Sequence, residues 1–237
     1  MEEIKHETNE ERENRLDSEL NIRTANDLDE IKVMSDHTYE GTGYVTLDII
    51  IDMLELGEDD VLVDLGCGLG KVIYYVNHKV GCKTIGVEGD ERIFKLLSEN
   101  HDGYKNKSSR AKQGAGNVLV LGSTGAPVKI VNSKVEDIIN ISEELLDNHS
   151  FANTGSLYFY FFNPFPVDIL KGFIGRVIEE AGDHHFGSKK ISFVFYYLSP
   201  EYQMALREFP LKLEQITRMN DYYKDEFEKC CIYSLTK

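Results

Sequence analysis

The sequence predicts an α/β domain with a Rossmann-like, mostly parallel sheet and helices on both faces. Two strand-length apolar segments, 61–65 and 84–88, are separated by a helix-length segment, and a glycine-rich turn follows the first of them. Further strand and helix patterns then alternate, and two final strand-like segments are joined by a short polar loop. Because such a terminal hairpin reverses one strand, we expect a seven-stranded sheet with one reversed strand in a C-terminal hairpin.

The first thirty residues carry eleven acids against four bases and show little apolar periodicity. Segments of this composition bury too little apolar surface to fold on their own. We therefore expect residues 1–35 to form an acidic N-terminal extension, as a solvated helix or a disordered tail, and residues 36–237 to form a single domain. A partner-binding arm is the alternative for the extension.

Hydrophobic periodicity and glycine stops predict the remaining elements. The first helix of the domain is expected at residues 45–56, with an apolar face of Leu47, Ile50, Ile51 and Leu54. Further helices are expected at 71–78, 91–100 and 201–208, and one more after residue 166 that ends near Gly182. Strands are expected at 61–65, 84–88, 128–132, 157–162 and 191–198, with hairpin strands at 211–219 and 229–235.

Residues 102–126 interrupt this alternation. They place four bases among Gly, Ser and Asn residues, and a short apolar segment at 118–121 follows. We interpret them as an inserted loop that ends in a hairpin through residues 122–127. A solvated loop is the simpler interpretation, and a loop that contacts an acceptor molecule is the alternative.

Glycines at positions 66, 68 and 70 indicate a nucleoside-binding turn, because glycine lets the backbone approach a ligand where a Cβ would collide. A phosphate-binding P-loop is excluded, since Val72 stands where that motif needs Ser or Thr. A dinucleotide fingerprint is excluded as well, since Lys71 occupies the place of its third glycine. A glycine turn in some other α/β domain remains the alternative.

A lone acid, Glu88, ends the second predicted strand, where a carboxylate can bind two ribose hydroxyls at once. The spacing Asp64-x-Gly-x-Gly-x-Gly70, followed by this acid, resembles the first motifs of class I S-adenosylmethionine-dependent methyltransferases. The resemblance implies the class I fold, S-adenosyl-L-methionine as cofactor and methyl transfer as the activity. The cofactor-binding residues that it implies are Asp64, Gly66, Cys67, Gly68, Gly70, Glu88, Gly89, Glu136, Thr42 and Asn163.

Glu136 enters that set because the family places an adenine-contacting turn, usually with an acid, after its third strand. Here the segment is Ser133-Lys-Val-Glu136-Asp137, and either acid could accept the hydrogens of the adenine amino group. A helix-capping box explains the same residues equally well.

The sequence Asn163-Pro-Phe165-Pro ends the predicted strand at 157–162. The side-chain oxygen of Asn163 can accept an N–H bond from a nitrogen acceptor and leave the nitrogen lone pair directed at a methyl group. Phe165 offers an aromatic face to a base, an amide or an alkylammonium group. The sequence resembles the Asn-Pro-Pro-Tyr/Phe motif of amino-directed methyltransferases, with the second proline displaced by Phe165. A plain strand-to-helix turn is the alternative.

Upstream, the segment Thr38-Tyr-Glu-Gly-Thr-Gly-Tyr44 precedes the helix predicted at 45–56. Together with the glycine loop, Glu88 and Asn163, it resembles the core of the non-SET histone-lysine methyltransferases over residues 36–166. This resemblance implies that Tyr39, Glu40 and Thr42 lie over the cofactor and line the acceptor channel, with Tyr39, Asn163 and Phe165 as catalytic residues. The basic flank that such enzymes use on nucleosomes has no counterpart in the sequence, and an ordinary glycine-containing loop is the alternative.

The formal net charge of −15 restricts the partners. Affinity for DNA or RNA comes mainly from Lys and Arg that neutralise phosphates, so nucleic acid is an unfavourable partner, whereas a protein or small-molecule amine is a favourable one. The acidity could also serve solubility alone. No apolar run approaches the ~20 residues of a membrane span, and no secretory signal is evident.

The four cysteines and the paired histidines show no metal-ligand spacing, so we expect no metal site. We expect the thiols to be reduced and the protein to be cytoplasmic. A monomer or a dimer is expected. Cys67 is expected to be a small filler of the loop, and Tyr197 is a further candidate for contact with the acceptor. The first alternative function is amino methylation of a nucleic-acid base, and the second is a non-enzymatic module that binds the cofactor.

Overall fold

The computed structural model describes residues 7–24, 41–106, 118–121, 126–146, 155–187 and 189–236. The helices are α1 Asn9–Leu20, α2 Tyr44–Leu54, α3 Lys71–Val80, α4 Glu91–Asn106, α5 Ile141–Leu146, α6 Val167–Gly182 and α7 Pro200–Leu206. A short 3-10 helix spans Val135–Asp137. The strands are β1 Val61–Leu65, β2 Lys83–Glu88, β3 Val118–Leu121, β4 Val128–Asn132, β5 Leu157–Phe161, β6 Ile191–Tyr196, β7 Leu211–Arg218 and β8 Lys229–Leu235.

The described strands form one sheet in the order β3-β4-β2-β1-β5-β6-β8-β7. Strands β4, β2, β1, β5 and β6 run parallel, and β8 runs antiparallel to both β6 and β7. The seven expected strands are therefore present, with β8 as the reversed strand of the C-terminal hairpin. An eighth strand, β3, pairs antiparallel with β4 and comes from the predicted insertion.

The central strands are buried on both faces, as their unbroken apolar runs require. Every residue of β1, β5 and β6 is buried. One face of the sheet packs against α5, α6 and α7, and the other packs against α1, α2, α3 and α4. Strands of parallel sheets covered on both faces are continuously apolar, which is why the sequence identified them.

The N-terminal segment departs from the expectation of a solvated extension. Helix α1 begins with a capping box at Thr8, and Leu16, Leu20 and Ile22 are buried in the core on its side of the sheet. The buried carboxylate of Asp17 accepts a hydrogen bond from the Tyr44 hydroxyl at 2.5 Å. The solvated interpretation was wrong for residues 16–24, because Leu16, Leu20 and Ile22 pack in the core and Asp17 bonds Tyr44.

The boundaries of the insertion also differ from expectation. Helix α4 continues to Asn106 instead of ending near residue 100, so part of the predicted loop is helical. Residues 107–117 and 122–125, which include three of its four bases, lie outside the described residues. None of the helices in the described ranges is long and apolar enough to cross a bilayer.

Candidate cofactor and acceptor site

The glycine loop connects β1 to α3 at the carboxyl edge of the parallel strands, where doubly wound sheets bind ligands. Gly66, Gly68 and Gly70 have φ angles of 80°, 53° and 84°. This left-handed region is accessible to glycine at little cost, which explains the three glycines. The N–H groups of Gly66 and Cys67 both donate to the carbonyl of Val87, at 2.9 and 3.0 Å, and so fix the loop to β2.

Close packing around the loop leaves no room for larger residues. A Cβ at Gly66 would lie 2.5 Å from the Cβ of Pro164, and one at Gly70 would lie 2.5 Å from the Tyr74 ring. Cys67 packs against Gly86, where an added Cβ would approach its sulfur to 2.7 Å. Burial raises the pKa of the Cys67 thiol well above its usual value. Cys67 therefore fills space in the loop and is unsuited to act as a nucleophile.

Glu88 ends β2 with a carboxylate that is held on both oxygens. Its Oε2 accepts the N–H of Gly68 at 3.0 Å, and its Oε1 accepts the N–H of Asp90 at 2.8 Å. Burial raises the pKa of Glu88, while the two N–H donors act in the opposite direction. Each carboxylate oxygen has a further lone pair, so the fixed group can also accept hydrogen bonds from ribose hydroxyls.

Asp64, the fourth residue of β1, lies beneath the loop with 4% of its surface exposed. Burial, with a smaller contribution from the charge of Glu88, raises the pKa of Asp64 to about 8. Two carboxyls in one buried site repel each other when both are ionised. A ligand that brings a positive charge to this site would favour ionisation of Asp64.

Gly89 and Glu136 lie near the tips of neighbouring strands. An added Cβ at Gly89 would lie 3.1 Å from Lys134 Cγ, and Ser133 donates its N–H to the Glu88 carbonyl at 3.1 Å. The turn after β4 is thus fixed beside the tip of β2. Glu136 and Asp137, in the 3-10 helix of that turn, are exposed, so both remain candidates for the adenine contact.

Thr42 is buried just before α2, and its Oγ1 lies 2.8 Å from the hydroxyl oxygen of Tyr160 on β5. Tyr160 pairs in register with Asp64 on β1. This contact brings the segment before α2 to the strands that carry the glycine loop and the Asn163 turn. Tyr39 and Glu40 lie outside the described residues, so their predicted positions remain predictions.

Asn163 stands in the turn after β5 and is exposed, with a φ angle of 42°. That left-handed conformation is uncommon outside glycine but is tolerated by Asn. The next residue, Pro164, packs on Gly66, so the turn lies against the glycine loop. Phe165 is half-buried, with its ring 6.1 Å from that of Phe161 and its carbonyl bonded to the Tyr202 hydroxyl. The ring therefore packs on the core, which leaves only part of it for an acceptor.

Aromatic residues extend from this turn to the tip of β6. The Phe162 ring lies 4.7 Å from that of Tyr196 and 6.1 Å from that of Tyr197. Tyr197, like Asn163, has a positive φ, of 59°. The hydroxyls of Tyr196 and Tyr197 donate to Glu228 and Asp225 of the β7–β8 hairpin, respectively. We call Phe162, Tyr196, Tyr197, Asp225 and Glu228 the acceptor rim.

Sequence reasoning identified one member of this rim, Tyr197, and missed the acids of the hairpin. In the sequence these acids lie in a polar segment of mixed charge, a composition that is typical of solvated turns. It also missed Glu13 of α1, whose carboxylate lies 2.7 Å from the Lys71 ammonium and accepts the Tyr44 N–H. Lys71 is the first residue of α3, so this buried ion pair joins α1 to the helix that follows the glycine loop.

The paired histidines and the cysteines lie away from the glycine loop or serve as buried packing residues. His184 and His185 lie in an exposed turn after α6, and the described residues contain no cluster of three potential metal ligands. All four cysteines are free thiols and are buried.

Comparison with known proteins gives a partial family match. Residues 19–115 match the family model described as histone methylation protein DOT1, which is less than half of the chain. A histone-lysine N-methyltransferase, H3 lysine-79 specific, from Dictyostelium discoideum is 37% identical over 49 residues, which is 21% of this chain and 3% of that protein. The chain thus spans a small part of the relative's length.

Solved structures of similar shape include two methyltransferases, both 12% identical to this chain. The RNA methyltransferase from Salinibacter ruber in complex with S-adenosyl-L-homocysteine has a TM-score of 0.48, over 84% of this chain and 95% of that one. The precorrin-6y C5,15-methyltransferase from Geobacter metallireducens GS-15 has a TM-score of 0.49, over 91% and 94%. The fold is therefore assigned from the strand order and loop geometry of this chain itself.

The parallel sheet with its reversed β8, the glycine loop and the acid at the tip of β2 are those of a class I methyltransferase that uses S-adenosylmethionine. Within that class, the chain resembles the DOT1 family over the segment that contains α2, the glycine loop and Glu88.

Proposed function

We propose that this protein transfers a methyl group from S-adenosylmethionine to the side-chain amine of a lysine in a protein acceptor. One observation carries the proposal: the exposed turn at Asn163 packs against the glycine loop through Pro164 and continues into the acceptor rim. A nitrogen acceptor held by this turn would lie next to the cofactor residues.

The residues present fit the cofactor. The left-handed glycine loop exposes backbone without side chains at the carboxyl edge of the sheet, and Glu88 presents a fixed carboxylate there to a ribose. The cationic amino group of the cofactor, when bound near Asp64, would favour the ionised form of its carboxyl. When bound, S-adenosylmethionine supplies an electrophilic methyl group on a sulfonium that needs no assistance to leave.

The chain then has two tasks, alignment and deprotonation of the acceptor. Asn163 accepts an N–H bond from the amine, which orients the nitrogen lone pair. A lysine in water has a pKa of about 10.4, so its amine is charged near neutral pH. The rings of Phe162 and Tyr197 present apolar surface next to Asn163, and such desolvation lowers the pKa of an ammonium, so that its proton is released to solvent before the lone pair attacks the methyl group.

Charge favours a basic protein segment over a nucleic acid. Residues 220–228 of the hairpin contain four acids and one base, and the whole chain has a net charge of −15. Carboxylates and aromatic rings attract ammonium groups and repel phosphates. The partial DOT1 match supports a lysine acceptor, and a cytoplasmic location belongs to the proposal because all four cysteines are free.

The test is tritiated-methyl incorporation into protein, RNA and metabolite pools kept separate, with wild type and Asn163→Gly. Glycine keeps the left-handed backbone of this turn and removes only the side chain. We expect protein labelling by the wild type and a loss of about a hundredfold in Asn163→Gly, with binding of S-adenosylhomocysteine unchanged.

The matched control is Gln203→Ala, which removes an exposed amide from α7 and should leave labelling unchanged. Labelling of RNA alone would support the nucleic-acid alternative. Cofactor binding without labelling of any pool, or full activity in Asn163→Gly, would contradict the proposal.

A further inference from the structure

A cavity lies at the opposite edge of the sheet from the glycine loop. It has a volume of about 730 Å³ and is lined by the end of α6, the turn that follows it, the start of β6 and the end of β8. Cavities of about 300–1,000 Å³ are typical of small-molecule sites. Neither the cofactor residues nor the acceptor rim contributes to it.

The floor of this cavity is apolar and continuous with the core. Phe186 and Ile191, 2% and 5% exposed, form its base, and Ile178, Ala181 and Leu235 are partly buried around it. Such a surface favours a ligand with an apolar body, because burial of apolar area contributes about 25 cal/mol per Å².

The mouth of the cavity is basic. Lys189, Lys190 and His184 line it, and none of its described lining residues is acidic. This contrasts with a chain that has 41 acids against 26 bases. Lys189 also donates to the Phe186 carbonyl at 3.3 Å, and Lys190 faces Glu214 across a separate polar groove. Glu214 offsets part of the charge of Lys190, whereas the described residues that line the cavity itself include no carboxylate.

We propose that this cavity binds a medium-chain carboxylate, with the chain on the apolar floor and the carboxylate at Lys189 and Lys190. Charge complementarity selects the head group, since the described lining holds two lysines and no acid and therefore favours an anion over a neutral amphiphile. The site is separate from the proposed methyl transfer, so its ligand does not compete with the cofactor.

The test is isothermal titration calorimetry of the full chain with dodecanoate below its critical micelle concentration, and with dodecanol as the neutral control. We expect saturable binding of dodecanoate and binding of dodecanol weaker by about tenfold, because one charge-assisted hydrogen bond contributes about that much. Equal binding of the two probes, or no binding of dodecanoate, would overturn the proposal.

Substitutions of lining residues test whether dodecanoate binds in this cavity. The pair Lys189→Glu and Lys190→Glu should weaken dodecanoate binding at least about tenfold, and Ala181→Trp should block it by filling the cavity. Lys95→Glu, at an exposed lysine of α4, is the control for reversing a lysine charge away from the cavity, and it should leave dodecanoate binding unchanged. Unchanged binding of S-adenosylhomocysteine shows that each variant is folded. Full dodecanoate affinity in the lysine pair would overturn the assignment.

Discussion

Gly66 of the glycine loop lies directly against Pro164 in the turn after β5, so close that a Cβ at position 66 would be 2.5 Å from the proline Cβ. The two turns come from β1 and β5, which are neighbours in the sheet. Their contact fixes the position of Asn163 relative to the glycine loop. Any change that separates them should affect both cofactor binding and the use of an acceptor.

Gly66→Ala is expected to destabilise the protein by about 1–3 kcal/mol, because its φ of 80° is strained for alanine and the new methyl collides with Pro164. Urea unfolding measures the change. Gly175→Ala in α6 is the control: nothing lies within 4 Å of its added Cβ, so it should be neutral or slightly stabilising. Equal stability of the two variants would count against the described contact.

Asp64 should make stability depend on pH. Its folded pKa of about 8 lies above the ordinary aspartate value of 3.8, so the folded chain holds a proton that the unfolded chain releases. This contribution is complete below the unfolded pKa and is lost as pH rises toward the folded value. We therefore expect the free energy of unfolding to fall between about pH 5 and pH 8, with a shallower slope in Asp64→Asn.

Urea titrations across that pH range test the prediction, with Asp183→Asn, a change at an exposed acid after α6, as the control. Identical slopes in wild type and Asp64→Asn would show that Asp64 is not the group responsible.

The ion pair between Glu13 and Lys71 is expected to stabilise the packing of α1 on α3, the helix that follows the glycine loop. Lys71 has 8% of its side chain exposed, so Glu13→Gln leaves a buried charge without its carboxylate and should cost about 1–3 kcal/mol. Adding Lys71→Met should recover part of that loss. A double-mutant cycle by urea unfolding measures the coupling, with Glu10→Gln, an exposed acid on α1, as the control. Additive effects would contradict coupling between the two residues.

The acceptor rim should contribute to acceptor binding rather than to cofactor binding. Asp225 accepts the Tyr197 hydroxyl, and this bond holds the pKa of Asp225 below its usual value. Asp225→Asn removes its charge and is expected to raise the KM for a lysine-containing peptide by about threefold to tenfold. Asp221→Asn, which removes the same charge from a residue paired with Lys224, should have a smaller effect. Steady-state kinetics with equal KM values for the two variants would exclude a specific role for Asp225.

The sequence predicted the strands and the glycine loop that carry the candidate cofactor residues, because the signals for these elements are local. Strand β1, the glycine loop and Glu88 form a contiguous pattern, and each glycine has the left-handed conformation that explains it. The turn at Asn163 was also predicted, since it directly follows a fully buried strand. These features depend on residues close together in the chain.

Hydrophobic periodicity predicts helices and strands but does not predict contacts between distant segments. Thr42 meets Tyr160 from 118 positions away, and Glu13 meets Lys71 from 58 positions away. Helix α1 looked solvated because its apolar residues are few and its acids many, although two of those acids, Glu13 and Asp17, bond to Lys71 and Tyr44 elsewhere in the fold. The acids of the hairpin gained a candidate role only when the sheet placed them beside Tyr196 and Tyr197.

Cofactor binding is tested most directly by isothermal titration calorimetry with S-adenosylhomocysteine on wild type and Glu88→Ala, with Glu228→Ala as a control away from the glycine loop. We expect one saturable site in the wild type and in the control, and affinity weakened by at least about tenfold when the carboxylate at the tip of β2 is removed. Absence of binding by the wild type, or full affinity in Glu88→Ala, would contradict this expectation.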